Sequence, residues 1–300
     1  GGLGMGNPLS NLFAPTNTGS AVINGDGKGY NTPTSELLNQ FTASATVIDK
    51  RRAFNIGEYA TFSKKTIATT TNSKTLVLDS YVNIKVGQFV SGLGIIGSTN
   101  KVKKFNISTT TQEILSLELA NNVTLPVNAT LSFYTSVYPN KYISPTVLAF
   151  DAENDVPVLR YSDVLLMKAE ADGNTSSSKD LINLVRARAG LANIVSFANQ
   201  DAFEKALSLE RKLEFAFENQ RWFDLLRFNT TFQTTANKAE AVMDTHFANL
   251  YATIYSSFSV LPVSLAELQA NANQDRFLLP IPQYEIDTNS FITIQQNPSY

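Results

Sequence analysis

The residues best placed to do chemistry lie between positions 209 and 228, in the run LERKLEFAFENQRWFDLLRF. Glu210, Glu214 and Glu218 recur every fourth residue and Arg221 follows three later, a spacing that forms one stripe on a helix. Paired carboxylates are what glycoside hydrolysis uses, one as acid and one as base or nucleophile, facing each other across the sugar. Three glutamates along one ridge do not span a cleft. Arg211 and Arg221 beside them favour the ionised form, the wrong direction for a general acid. Apolar residues flank the stripe on two sides: Leu209, Leu213, Ala216, Phe217 and Phe223 on one, Phe215, Trp222 and Leu226 on the other. A helix apolar on two faces packs between neighbours, so its charges are partly withdrawn from water and need partners. Arg160, Arg186 and Arg188, on nearby helical segments, are the expected partners, with Asp224 in the same network. That reading makes the stripe scaffold electrostatics.

Other chemistries lack their residues. The chain has one histidine, His246, and no cysteine, which leaves no thiolate, no disulfide and no His/Cys metal set. A Ser–His–Asp triad would have to use His246, and no G-x-S-x-G turn exists to present a serine. No G-x-x-x-x-G-K-[ST] phosphate loop occurs. Residues 92–97, GLGIIG, fit G-x-G-x-x-G, but Ser98-Thr99-Asn100 follow where a helix should open, so the match reads as a β-turn. The cluster from Asn24 to Tyr30 resembles a calcium loop only until Lys28, which stands where an oxygen ligand belongs. Asp151, Glu153 and Asp155 precede a helix start, where negative charge is favoured anyway. No catalytic residue, metal or cofactor is expected. Recognition then falls to rings, on which sugars stack their C–H faces, and Phe13, Tyr30 and Tyr59 in the early segment are the candidates.

The elements that must hold these residues fall into three stretches. Residues 1–62 are loop-rich, with one short helix near residues 35–41 capped by Thr34 or Ser35. Residues 63–136 alternate Leu, Val, Thr, Ser and Lys between Gly and Asn turns, the pattern of a small all-β sandwich-like module. Residues 137–300 are helical. Pro157 suits a first helical position and Gly173 a stop; the next helix runs from about Ser178–Asp180 to Gly190. Asp201 and Glu204 read as a capping-box variant opening the third helix, which runs on through the 209–228 stretch, and another helix is expected over 236–255. Ala169, Ala171, Ala187 and Ala189 would let two helices approach closely, as in a tetratricopeptide-type pair, and one such pair needs neighbours to bury its faces. The fold expected is mainly α with an all-β insertion.

Bulk properties fit this. The chain has 300 residues, is 43% hydrophobic and carries a formal net charge of −2; no basic excess points to nucleic acid. No apolar run approaches the roughly 20 residues of a membrane span. The opening GGLGMGNPLSNLFAPTNTGS lacks a signal peptide's pattern and reads as a loop inside a larger protein.

Several motifs resemble those of one family, and they occur in its order. PTSELLNQF at 33–41 with Asp49-Lys50-Arg51, VLRYSDVLLM at 158–167 with Ala169-Glu170-Ala171, LINLVRARAGL at 181–191, the Glu-Arg…Glu-Asn-Gln-Arg-Trp-Phe-Asp-Leu-Leu-Arg pattern of 210–227, and Leu279-Pro280-Ile281-Pro282 with the terminal QNPSY resemble the SusD/RagB family of nutrient-binding surface lipoproteins. The β stretch interrupts that pattern and reads as an insertion. The resemblance implies a SusD-like C-terminal region whose N-terminal half lies outside this sequence. It also implies lipid anchoring on the extracellular face of the outer membrane through that half, and no enzymatic activity. The implied partners are a SusC-like TonB-dependent transporter barrel, on which the protein would act as a lid, and a glycan or oligosaccharide ligand. Peptide cargo, or an adhesive or structural role of the β insertion, are the alternatives.

Overall fold

The computed structural model describes residues 6–16, 18, 21–42, 47, 49–95, 100–144, 148–253, 263–298 and 300. The chain forms two compact units. One holds residues 1–159, 186–192 and 216–218; the other holds 160–185, 193–215 and 219–300.

The first unit begins with α1 (Leu9–Phe13), α2 (Ser35–Gln40) and α3 (Arg51–Asn55). Thr34 caps α2 by accepting from the Leu37 N–H at 3.2 Å. In the Asp49-Lys50-Arg51 motif the guanidinium returns to its own segment: Arg51 Nε donates to both Asp49 carboxylate oxygens at 2.9 and 3.0 Å, and both side chains are buried. Among the described residues six strands follow: β1 (Ile56–Lys65), β2 (Thr70–Leu76), β3 (Phe89–Gly92), β4 (Val102–Ile107), β5 (Ile114–Leu125) and β6 (Thr130–Pro139). They pair antiparallel in two three-stranded sheets, ordered β1-β6-β3 and β2-β5-β4. Paired strands thus extend beyond 63–136 at both ends, because Ile56 faces Pro139 in the ladder. Alternate residues of each sheet, among them Leu76, Val90, Val102, Leu117, Leu119, Leu131 and Phe133, meet in one core confined to this module. Each such fully buried side chain contributes about 2 kcal/mol by leaving water.

The second unit is helical: α4 (Tyr161–Asp172), most of α5 (Ser176–Arg188), α6 (Gln200–Glu214), α7 (Arg221–Thr231), α8 (Ala239–Thr253), α9 (Leu265–Ala270) and α10 (Gln283–Thr288). Helices and two sheets together make "mainly α" too narrow a description. Leu166, Ile182, Phe203, Leu207, Phe215, Leu225 and Phe228 form the centre of its core, with Phe228 and Phe232 stacked at 3.9 Å between ring centroids.

Three helix boundaries differ from those expected. Helix α4 starts after Pro157, at Tyr161, because Arg160 stays extended (φ −128°, ψ 157°) and sends its guanidinium to Glu214. Helix α6 is capped by Asn199, which accepts from the Ala202 N–H at 2.9 Å, so Asp201 is not the cap. Glu204 reaches back to the Gln200 side chain rather than to the cap residue's N–H, and it also holds a downstream loop, as described below. Above all, residues 209–228 are not one helix. Phe217 and Asn219 take positive φ (67° and 59°), the left-handed region that stops a helix, and the chain turns between α6 and α7. Residues 254–262, at the end of the helix expected over 236–255, lie outside the described residues.

Candidate functional site

The turn at 215–220 breaks the glutamate ridge and distributes its charges. Glu210 and Glu214 are buried in α6, while Glu218 lies in the turn and pairs with Lys141. Arg221 opens α7 and donates to Ser208 Oγ at 3.0 Å, tying the two helices. Arg160 reaches Glu214, donating to its Oε1 at 2.7 Å and to its backbone carbonyl at 3.0 Å. Arg186 donates to the Ala192 carbonyl, at 3.2 Å from Nε and 3.0 Å from Nη2, and Arg188 is exposed.

The deepest ion pairs centre on Arg211, 1% exposed. Its Nη1 donates to Asp163 Oδ1 at 2.7 Å and its Nε to Asp224 Oδ1 at 2.9 Å. Asp224 Oδ1 also accepts from Arg227 Nη2 at 2.9 Å, and Arg227 completes a fork on Glu170, with Nε to Oε1 and Nη2 to Oε2, both at 2.9 Å. Thr231 Oγ1 adds a bond to Glu170 Oε1 at 2.7 Å. Burial works against the Arg227 charge, but its bonds to Glu170 and Asp224 outweigh that and raise its pKa. Helix α4 supplies Asp163 and Glu170, seven residues apart and so on one face; α6 supplies Arg211 and Glu214; α7 supplies Asp224 and Arg227. The ring of Phe215 lies 5.0 Å from the guanidinium carbons of both Arg160 and Arg211, adding cation–π contacts to the lattice. These carboxylates each accept from a guanidinium, so the lattice ties α4, α6 and α7 together inside the helical unit.

Asp163, Glu170, Arg211 and Arg227 were missed as network members. The available signal was the spacing of Asp163 and Glu170 on α4 and of Asp224 and Arg227 on α7, each a charge inside an apolar pattern. A second buried carboxylate, Glu204, was misassigned. It accepts from Gln200 Nε2 (2.9 Å), the Gln233 N–H (2.7 Å), the Thr234 N–H (3.2 Å) and Asn237 Nδ2 (3.0 Å). Burial pushes its pKa up, but the bonds from Asn237, Gln200, Gln233 and Thr234 prevail and hold it below the ordinary glutamate value.

The ring candidates are not gathered into one site by these contacts. Phe13 is half-buried against Tyr142, 5.6 Å between centroids. Tyr30 is 58% exposed on a neighbouring strand of loop, its N–H donating to the Leu12 carbonyl at 2.8 Å. That loop lies backbone against backbone on α1, and Gly27 permits it: a Cβ there would sit 2.3 Å from the Pro15 oxygen. Tyr59 is half-buried in β1, opposite Ser136. The calcium-like cluster is held differently, with the Asn24 and Asp26 carbonyls accepting from Asn11 Nδ2 at 2.9 and 3.3 Å. In the glycine motif, Gly92 and Ile95 exchange backbone bonds across a tight turn, and residues 96–99 lie outside the described residues.

The model of the SusD family matches residues 11–300, nearly the whole chain. The chain belongs to the SusD family. Among its relatives, SusD-like protein P38 of Formosa agariphila is 31% identical over 105 residues, covering 31% of this chain and 20% of that protein. SusD-like protein P2 of the same organism is 29% identical over 161 residues, 49% of this chain and 26% of its own length. Surface glycan-binding protein A from Bacteroides uniformis has a similar solved fold (TM-score 0.52, 19% identity, 97% of this chain and 47% of that one). So does a SusD-like protein from Bacteroides fragilis (TM-score 0.51, 16% identity, 97% and 51%). At these identities the structures establish the SusD fold, and the chain spans about half the length of each. Among the described residues no helix is long and apolar enough to cross a membrane.

Proposed function

We propose that this chain is the C-terminal part of a surface-exposed substrate-binding lipoprotein that captures glycans or oligosaccharides without chemically altering them. It would sit as a lid on a SusC-like TonB-dependent transporter barrel, anchored to the extracellular face of the outer membrane through an N-terminal half outside this sequence. Family membership supports this, as does a fold shared with a protein described as a surface glycan-binding protein. The observation that carries it is the commitment of Asp163, Glu170, Glu214 and Asp224 to guanidinium groups inside the helical unit. Carboxylates so held brace a frame and are withdrawn from acid–base work, which leaves recognition to loops and rings, with Phe13, Tyr30 and Tyr59 as the candidates. In this reading α4 and α5 are the last tetratricopeptide-type pair of a larger array, and 63–136 is an insertion between a loop-rich segment (1–62) and the helical region (137–300).

Glycan-array and peptide-binding assays on the full-length protein test the cargo. Retention of glycans and not of peptides is expected; the reverse result replaces the ligand class. Purification from native membranes tests the partner, and a barrel of transporter size should travel with the protein.

A further inference from the structure

The chain's charge is unevenly placed. Residues 63–136 carry seven lysines against three carboxylates, in a chain whose net charge is −2. Three of those lysines lie on the β4 start and the turn paired with it. Val102, at the start of β4, accepts from the Gly87 N–H at 2.8 Å and donates to the Gln88 carbonyl at 2.9 Å, which sets the turn carrying Lys85 beside Lys101 and Lys103. Lys85 and Lys103 are exposed; Lys101 lies with its Nζ 4.3 Å from the centroid of Phe89. Among the described residues none of the three has an ion-pair partner; the nearby acid, Glu118, is taken by Lys104 at 3.1 Å. Asp79 accepts the Lys65 N–H, and Glu113 lies at the far end of the β4–β5 hairpin. Lys101 and Lys103 repel: burial and then the charge of Lys103 depress the Lys101 pKa. An incoming anion would relieve that repulsion, and the ring of Phe89 lies beside it.

We propose that the edge formed by Lys85, Lys101 and Lys103 binds acidic polysaccharide, with sugar carboxylates or sulfates against the ammonium groups. This rests on the glycan-capture reading and narrows its ligand class. Lys103, on β4 beyond the residues paired with the 87–90 segment, also discourages edge-to-edge pairing, and the experiment separates the two roles.

Binding of the full-length protein to polygalacturonate and to uncharged dextran is measured by calorimetry at low and high sodium chloride. Expected is binding to polygalacturonate that weakens steeply with salt, because exposed charges are screened. The variant K85Q/K101Q/K103Q should lose about tenfold in that affinity, with a flatter salt response. The salt response of the unaltered protein decides the matter even if the variant folds poorly. Equal, salt-independent binding of dextran overturns this inference and leaves glycan capture standing. Binding to neither polymer, nor to any member of a broad glycan array, overturns both. A variant that self-associates with unchanged polygalacturonate affinity assigns the lysines to edge protection alone and overturns the proposal.

Discussion

Arg211 is the residue on which the helical unit is most exposed to failure. Its guanidinium is buried with Asp163 and Asp224, and removing one partner of such a set leaves charge stranded in low dielectric. Arg211→Met should therefore cost about 3–5 kcal/mol, read as a lowered urea midpoint with the slope unchanged. A loss well under 1 kcal/mol would mean that the lattice relaxes into water and is not a frame. Glu204 gives a second residue-scale test, through pH. Its folded-state pKa is depressed, so its contribution is present above the ordinary glutamate value and is lost as pH falls through the folded value. Glu204→Gln places an amide NH2 among donor N–H groups and should cost about 1–3 kcal/mol at neutral pH. It should also flatten the fall in unfolding midpoint below about pH 4.3; parallel acid profiles for the two proteins would refute that linkage. Such residues were only half legible in the sequence. That charges in residues 209–228 must find partners followed from their apolar surroundings. Which charges pair did not, because Arg211 meets Asp163 across 48 positions and nothing local encodes that distance.

At the scale of elements, the left-handed residues between α6 and α7 decide where the charges go. Had the helix continued, Glu218 would have extended the ridge; with Phe217 and Asn219 at positive φ it reaches Lys141 instead. Asparagine tolerates this region and β-branched residues do not. Asn219 is exposed, so substitution there tests backbone geometry without disturbing packing. Asn219→Val should cost about 1–2 kcal/mol, while Asn219→Gly should be neutral or slightly stabilising; equal thermal midpoints for the two variants would show that the turn carries no conformational demand. The sequence hid this break because Phe217 has no side-chain reason to adopt positive φ, and residues 209–228 lack glycine and proline. The end of α5 was legible for the opposite reason. Gly190 (φ 77°) closes it with two bonds, Gly190 N–H to the Ala187 carbonyl and Leu191 N–H to the Arg186 carbonyl, both at 3.0 Å, and a glycine after a basic last turn announces that geometry.

At the scale of the whole molecule, the described residues form two cores from separate stretches of chain. The β core draws its buried residues from positions 76–133 and the helical core from positions 166–277. The alternation of strand residues made the first visible in sequence, and the helical period made the second. The outermost residues of β1 and β6 escaped notice because Gly57, Glu58 and Tyr59 do not alternate in polarity and become strand only by pairing with Tyr138, Val137 and Ser136. That ladder makes the module separable. Tyr59 and Ser136 are direct partners, so residues 60–135 can be removed and the strands joined by a two-residue turn. The excision keeps Glu58, the partner of Arg52, and takes no residue of the helical core. The shortened protein should retain its helical far-UV signal and unfold cooperatively, and residues 56–139 produced alone should unfold as a unit of their own. The shortened protein should also lose salt-sensitive binding to polygalacturonate while keeping its transporter partner in membrane extracts. If excision instead melted the helices, the β module would be part of the frame, and a reading that treats it as an insertion carrying its own recognition surface would have to be given up.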